Sequence, residues 1–229
     1  MKICIVHPKV CTKSAKRLAF ELDADTHNQS NVYRYDFSDY DLVFNYGSSK
    51  EIECNTIINS QQAISNCVDK ITTFDILNKH NLPTVDYVKD KTEIPNKWDI
   101  IVCRSSANGN RAKELEYCTD KDKAPECELY TEYYEHEFEL RIVVFKNKIV
   151  GRYVKEEVDG EWIFTELSST GMTKIDTSCI KAAKALGIDY VGFDLLSKDC
   201  EDFVILEANS GATITEEVLI AIRINLIGV

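Results

Sequence analysis

The sequence contains no apolar stretch approaching the roughly 18 consecutive residues that a membrane-spanning helix requires. Its first two residues, Met1 and Lys2, lead directly into a short apolar segment, a start that does not resemble a secretory signal. We therefore expect a cytoplasmic protein that has no membrane partner.

Cysteine pairs of the metal-binding or redox kind are also missing. The nine cysteines form no C-x-x-C motif, and the four histidines do not join them at the spacing of zinc ligands. An odd number of scattered cysteines is not typical of a disulfide framework. We interpret them as reduced thiols, as expected in the cytosol.

The sequence contains fewer basic than acidic residues. The 229 residues include 27 Lys and Arg against 38 Asp and Glu, which gives a formal net charge of −11. A protein that binds nucleic acid without sequence preference needs a basic face, so this balance argues against a nucleic-acid partner. Nucleotides are not excluded, because a cleft can concentrate a few cations and a metal ion can screen the phosphates.

Strand and helix signals alternate at the N-terminal end of the chain. Short apolar segments predict strands over 1–6, 32–35 and 41–46, and an amphipathic pattern predicts a helix over 14–22. This order indicates a small α/β domain. The segment Gly47-Ser48-Ser49 follows the last of these strands and is compatible with a phosphate or carboxylate site, or with a simple turn.

The rest of the chain continues with both element types. A helical period covers 59–81, divides near Asp69 and ends before Pro83. Gly187 is a suitable end for a helix over 178–186. These patterns place the protein in the α/β (α+β) fold class. Further predicted strands lie at 99–103, 129–134, 140–145, 149–154, 162–165, 190–196 and 203–208, and a closing helix at 215–224.

The strongest chemical signal lies near the C-terminal end. Asp194 interrupts the apolar strand GFDLL, and Glu207 and Asn209 are two residues apart in the next strand, so their side chains share a face. A hairpin would bring all three together as an oxygen cluster suited to Mg²⁺ or Mn²⁺. The alternative is that Asp194 caps a turn and Glu207 ends a strand at the surface. The apolar flanks favour the metal site, because a buried carboxylate needs a partner.

The segment ALGIDYVGFDLLSKDCEDFVILEANSG resembles the C-terminal metal motif of the ATP-grasp superfamily. The resemblance implies that Asp194, Glu207 and Asn209 hold the Mg²⁺ (or Mn²⁺) ions that bridge the phosphates of ATP. It also implies two α/β subdomains that clasp ATP, preceded by a small Rossmann-like domain. The corresponding boundaries are 1–58 for the N-terminal domain and 59–229 for the ATP-grasp domain, with 59–128 bearing the lid and 129–229 the metal site.

The segment LYTEYYEHEFELRIVVFKNKIV resembles the hinge strand of the same superfamily and the hairpin that follows it. By this resemblance Glu132, Tyr133 and Tyr134 lie beside the adenine, where backbone groups bind its edge. Glu139 would accept the ribose hydroxyls.

Glu139 and Arg141 form an E-x-R element similar to that of the amino-acid and peptide ligase branch, which includes ribosomal-protein glutamate ligases and phage-encoded relatives. Arg141 would then clamp a phosphate or acyl-phosphate oxygen. Lys155 would provide a second cation for the γ-phosphate. The stretch AISNCVDKITTFDILNKHNLPTVDY resembles the entry helices of the family, in which Lys70 matches the lysine that contacts the α-phosphate.

The phosphate lid departs from the family pattern. Arg104 ends the strand DIIVCRS where a lysine is usual, and it is expected to contact phosphate. The loop SSANGNRAKEL retains only Gly109, while Arg111 and Ala112 replace a second glycine region. Lids of this kind rely on unobstructed backbone N–H groups. The resemblance therefore leaves open whether this lid supports turnover.

The resemblance implies an ATP-dependent carboxylate–amine ligase that forms an amide through an acyl phosphate, with Arg104, Arg141 and Lys155 as catalytic cations. Its partners would be a small-molecule or peptide carboxylate and an amine. Two alternatives stay open: a kinase that phosphorylates a small molecule, and a non-catalytic regulatory module that binds ATP. A homo-oligomer is neither indicated nor excluded.

Overall fold

The N-terminal part of the chain is built on a parallel sheet. The computed structural model describes residues 1–107, 115–168, 170–212 and 214–227. Helix α1 (Thr12–Leu22) connects the first two strands and packs on the sheet through Ala15, Leu18 and Leu22. The four strands run parallel in the order β2-β1-β3-β4, with bounds β1 (Ile3–His7), β2 (Asp25–Asn28), β3 (Leu42–Asn45) and β4 (Ile57–Ile58).

The prediction of a strand over 32–35 was wrong. Gln29–Arg34 forms a 3-10 helix, and the edge strand is β2, which the sequence analysis missed. Asn28 begins the 3-10 helix, since its side-chain oxygen accepts the Ser30 N–H at 3.0 Å. The residues of β2, Asp-Thr-His-Asn, are polar and carry no period-two apolar signal.

Two helices follow the parallel sheet and divide near Asp69, as the sequence predicted. They are α2 (Gln61–Val68) and α3 (Lys70–Lys79). Asp69 stands between them in an extended conformation, and its carboxylate accepts the Ile71 and Thr72 N–H groups at 3.3 and 3.1 Å. A residue that caps the next helix in this way cannot continue the previous one.

A second, antiparallel sheet has the order β5-β8-β6-β7. Its own small core contains Trp98 and Tyr130. Gly109, Arg111 and Ala112 of the predicted lid, which connects the third and fourth strands of this order, lie outside the described residues. The strands are β5 (Tyr87–Val88), β6 (Ile101–Arg104), β7 (Leu115–Cys118) and β8 (Leu129–Glu132).

The third sheet is antiparallel, in the order β11-β10-β9-β12-β13. Helix α4 (Thr173–Leu186) packs on one face and ends at Gly187, whose left-handed φ of 71° is the predicted C-cap. Helix α5 (Glu216–Ile227) joins the core on the other face. The strands are β9 (Phe138–Phe145), β10 (Lys148–Val158), β11 (Glu161–Glu166), β12 (Tyr190–Ser197) and β13 (Phe203–Asn209).

The alternation along β9 decides where the polar site lies. Leu140, Ile142 and Val144 point to the core under α4. On the opposite face, Val143 and Phe145 are covered by the N-terminal domain and α5, whereas Glu139 and Arg141 begin the strand and are not part of that apolar core. One half of this sheet face is therefore left for polar residues.

The sequence analysis also predicted that the chain has no membrane-spanning helix and that its cysteines are reduced. Among the described helices, none combines the length and the apolar character needed to cross a bilayer. All nine cysteines are free thiols. The thiols of Cys67 and Cys179 are buried, and burial raises the pKa of Cys67 to about 12.

Candidate functional site

The two strands of the predicted metal motif form a hairpin. In the pairing of β12 with β13, Asp194 lies opposite Glu207, and Gly192 lies opposite Asn209. The Asn209 side-chain amide donates to Asp194 Oδ2 at 3.5 Å. The structure thus brings the carboxylates and the amide onto one face of the sheet, as the spacing predicted.

Asp194 is also paired across its other neighbouring strand. Arg141 of β9 lies opposite it, and the guanidinium binds both carboxylate oxygens, through Nε to Oδ1 and through Nη2 to Oδ2 at 2.8 Å. Only 11% of the Arg141 side chain and 10% of the Asp194 side chain are exposed. Burial by itself lowers the pKa of Arg141, but the charge and hydrogen bonds of Asp194, assisted by Glu207, outweigh it and raise the pKa.

Lys155 on β10 connects the E-x-R element to the metal motif. Its ammonium is 3.4 Å from Asp194 Oδ2 and 3.4 Å from Glu139 Oε2. It also lies 3.8 Å from the centroid of the Trp162 ring, a cation–π contact. The sequence analysis did not identify Trp162 as a site residue, because its position over Lys155 depends on how β10 pairs with β11.

Lys70 reaches the motif from the start of α3. Its ammonium is 3.5 Å from Glu207 Oε1, and only 9% of the side chain is exposed. The backbone also links this helix to the start of the predicted lid loop after β6, because Lys70 N–H donates to the Ala107 carbonyl at 3.0 Å. The predicted phosphate lysine therefore lies beside a predicted metal ligand.

Arg104 ends β6 at the same cleft. Its Nε is buried and has no hydrogen-bond partner among the described residues. Burial lowers the pKa of the guanidinium, while the nearby charge of Glu207 partly offsets that effect. A buried charged donor without an acceptor is costly. It is well suited to bind an anion such as a phosphate group.

The predicted hinge connects the second and third sheets. The N–H groups of Glu132 and Tyr133 already donate to the carbonyls of Asp86 and Ile100, each at 2.9 Å. Neither of these two N–H groups is therefore free to bind a ligand. The Tyr134 hydroxyl donates to Asp202 at 2.7 Å and so anchors the hinge to the β12–β13 turn.

A metal ion at this site would depend on oxygen ligands of mixed type. Among the described residues, no three His, Cys, Asp or Glu side chains come close enough together to hold a metal. Asp194 and Glu207 supply two carboxylates on one face, and Asn209 supplies an amide. This hard, oxygen-rich set fits Mg²⁺ when phosphate oxygens complete the coordination.

The segment Gly47-Ser48-Ser49 forms a turn, which is one of the two alternatives that the sequence analysis gave for it. Asn45 Oδ1 accepts the Ser48 N–H at 2.8 Å, and the Asn45 amide donates to the Ser48 carbonyl at 3.0 Å. Gly47 has a φ of +85° and packs against Gly211, just beyond the metal motif. The turn therefore contributes to the support of the site from the N-terminal domain.

Two tyrosines hold the segment that follows Asn209. The hydroxyls of Tyr46 and Tyr190 both donate to the Ala212 carbonyl, the second at 3.2 Å. Both rings are buried and stacked at 5.7 Å between centroids. On the facing strand, a methyl group added at Gly192 would lie 2.6 Å from Ala212 Cβ and 3.0 Å from Arg141 Cδ.

We expect Gly192→Ala to lower the free energy of unfolding by about 1–3 kcal/mol, because the added methyl group overlaps both neighbours. Chemical denaturation measures the change. Ala212→Gly removes one of the two overlaps, so the double variant should recover part of the loss. A Gly192→Ala variant as stable as the parent would contradict this packing.

A cavity of about 530 Å³ adjoins the site beside Glu139 and Lys155. It is lined by residues of β9, β10 and β11, which form the half of the third sheet that is farther from β13. The cavity extends past Glu139 to Glu157 and Trp162, neither of which the sequence analysis assigned to the nucleotide.

No family model matches the chain. A β-citrylglutamate synthase B of Danio rerio is 28% identical over 182 residues, an alignment that covers 67% of this chain and 44% of the relative. The human N-acetylaspartylglutamate synthase A is 26% identical over 186 residues, with 67% and 46% covered. The chain thus spans less than half the length of these curated relatives.

Solved structures with a similar fold match nearly the whole chain. The ATP-grasp ligase PsnB in complex with a minimal precursor, Mg and ADP has a TM-score of 0.69 at 14% identity, covering 96% of this chain and 97% of that chain. The D-alanine–D-alanine ligase of Bacillus anthracis in complex with ATP has a TM-score of 0.68 at 13% identity, covering 100% and 92%. The predicted ATP-grasp fold is therefore confirmed.

Proposed function

We propose that this chain, which has the ATP-grasp fold, is an ATP-dependent carboxylate–amine ligase. The observation that carries the proposal is the buried, unpartnered Nε of Arg104, which lies at the same cleft as the Asp194–Glu207–Asn209 face. Two carboxylates and an amide can bind a metal ion there, and the cations beside them can bind the phosphates of ATP.

Each side chain has a role in this proposal. Arg104 and Lys70 bind ATP phosphates, and Arg141 and Lys155 neutralise the phosphoryl group and the acyl phosphate. Glu139 accepts the ribose hydroxyls, and the backbone from Glu132 to Tyr134 and beyond binds adenine. Asp194, Glu207 and Asn209 would hold Mg²⁺ or Mn²⁺, which when bound neutralises phosphate charge and orients the triphosphate.

The reaction proceeds in two displacements. A carboxylate oxygen of the first substrate attacks the γ-phosphorus, the bond to the β-phosphate oxygen breaks, and ADP leaves. The lone pair of a neutral amine then forms a bond to the acyl carbon. The bond from that carbon to the phosphate oxygen breaks, inorganic phosphate leaves, and the nitrogen releases a proton.

The relatives support an amide-forming activity. Two are named as synthases of β-citrylglutamate and N-acetylaspartylglutamate, and two structural neighbours are named as ligases. We extend from these names only the reaction class and the kind of substrate, which is a small molecule or a peptide.

A binding-only module is the second candidate, and one observation favours it. Asp194 already has two cationic partners, Arg141 and Lys155, so a metal ion would compete with both for the same carboxylate. If the cations stay in place when ATP binds, the chain would hold nucleotide without turnover.

Release of ADP, measured over a panel of carboxylates with Mg²⁺ and hydroxylamine, separates these functions. A ligase forms an acyl phosphate, which hydroxylamine traps as a hydroxamate. A kinase releases ADP and a stable phosphorylated product without hydroxamate. ATP binding without ADP release for any carboxylate would favour the binding module and contradict the ligase.

A further inference from the structure

The cavity next to the site is strongly acidic. Among the described residues, four glutamates and one lysine line it: Glu137, Glu139, Glu156, Glu157 and Lys155. Glu156 and Glu157 are exposed to solvent at the end of β10. A cleft lined in this way concentrates cations and repels anions.

Trp162 provides an aromatic wall of the same cavity. Its side chain is exposed to 43%. The ring already contacts an alkylammonium group of the chain itself. The Lys155 ammonium lies 3.8 Å from the ring centroid and 3.4 Å from Glu139. An indole face beside a carboxylate is a recognised site for alkylammonium groups.

The cavity lies next to the proposed reaction centre, and Lys155 is the residue that contacts both. Lys155 is 3.4 Å from Asp194, which connects the cavity to the proposed metal site. From Lys155 to Glu157 the strand advances by roughly 7 Å, about the reach of a lysine side chain. An amine held at one end near Lys155 could therefore place a second positive group beside Glu157.

We propose that this cavity binds the amine substrate and selects amines that carry a second positive charge, of the lysine or diamine class. This inference rests on the proposed ligase function. The reacting amine faces the acyl phosphate near Lys155, and the second ammonium binds Trp162, Glu156 and Glu157. Glutamate, an amine with two carboxylates, is disfavoured by the same charges.

The binding test uses fluorescence and does not need turnover. The sequence has two tryptophans, and Trp98 is 5% exposed and lies in a separate core. In a Trp98→Phe background, emission reports on Trp162. Titration with cadaverine in the presence of Mg²⁺ and a non-hydrolysable ATP analogue should give a saturable change, whereas glutamate should give none.

Variants locate the contact. Glu156→Gln combined with Glu157→Gln should weaken cadaverine binding at least tenfold. Glu161→Gln combined with Asp159→Asn removes the same two charges from the β10–β11 hairpin outside the cavity lining and is the matched control, expected to bind as the parent does. An equal response to cadaverine and glutamate, or equal weakening by the control, would overturn the proposal.

Turnover then separates the two proposals. Hydroxamate formation with the parent chain reports the acyl phosphate whatever the amine preference, so its absence contradicts the ligase function. If hydroxamate forms, cadaverine, a short lysine-containing peptide and glutamate are compared as acceptors. Preference for either of the first two supports the cavity and identifies a free diamine or a peptide as the source. Preference for glutamate would refute the cavity assignment and leave the ligase function intact.

Discussion

Asp194→Asn is expected to reduce ATP turnover by on the order of a hundredfold or more, because it removes a carboxylate from the site where phosphoryl charge must be neutralised. It should also destabilise the nucleotide-free chain by about 3 kcal/mol, since the buried Arg141 loses its bidentate counterion. Few substitutions are expected to combine both losses. ADP release and chemical denaturation measure them separately.

Glu207→Gln serves as the comparison. Glu207 contacts Lys70 at 3.5 Å and is more exposed than Asp194, with 21% of its side chain accessible. We therefore expect a comparable loss of turnover but a stability loss closer to about 1 kcal/mol. A double-mutant cycle of Asp194→Asn with Arg141→Gln isolates the pair energy. Full activity in Asp194→Asn would remove the basis of the metal-site proposal.

Arg104→Met is expected to act in opposite directions on stability and on binding. In the nucleotide-free chain it eliminates a buried donor without a partner, so the free energy of unfolding should rise by about 1–3 kcal/mol. In the complex it removes a charge-assisted contact to phosphate worth about 1.5–3 kcal/mol, which weakens ATP binding roughly tenfold to a hundredfold.

Calorimetric titration of ATP with Mg²⁺ and thermal unfolding without nucleotide test these signs. Arg34→Met is the matched control, because Arg34 is exposed in the N-terminal domain and should change neither quantity beyond about 0.5 kcal/mol. A variant of Arg104 that is less stable without nucleotide and binds ATP normally would show that Arg104 has a structural role instead.

Local sequence signals predicted the ends of helices correctly where a single residue sets the backbone conformation. Asp69 divides two helices because its short side chain bonds the N–H groups of the next turn, and Gly187 ends α4 because it adopts a left-handed φ. The same locality explains why β2 was missed. Its polar residues are paired on one side only, with β1, and a sheet edge imposes no apolar alternation.

The sequence by itself determined the α/β class, the hairpin that carries Asp194, Glu207 and Asn209, and the shared face of Glu139 and Arg141, because these follow from residue type and periods of two and 3.6. Only the tertiary structure decided that Arg141 and Lys155 both bind Asp194, that Trp162 lies over Lys155, and that the Nε of Arg104 is buried without a hydrogen-bond partner among the described residues. Those relations depend on strand register and on the approach of separate sheets, which no local spacing encodes.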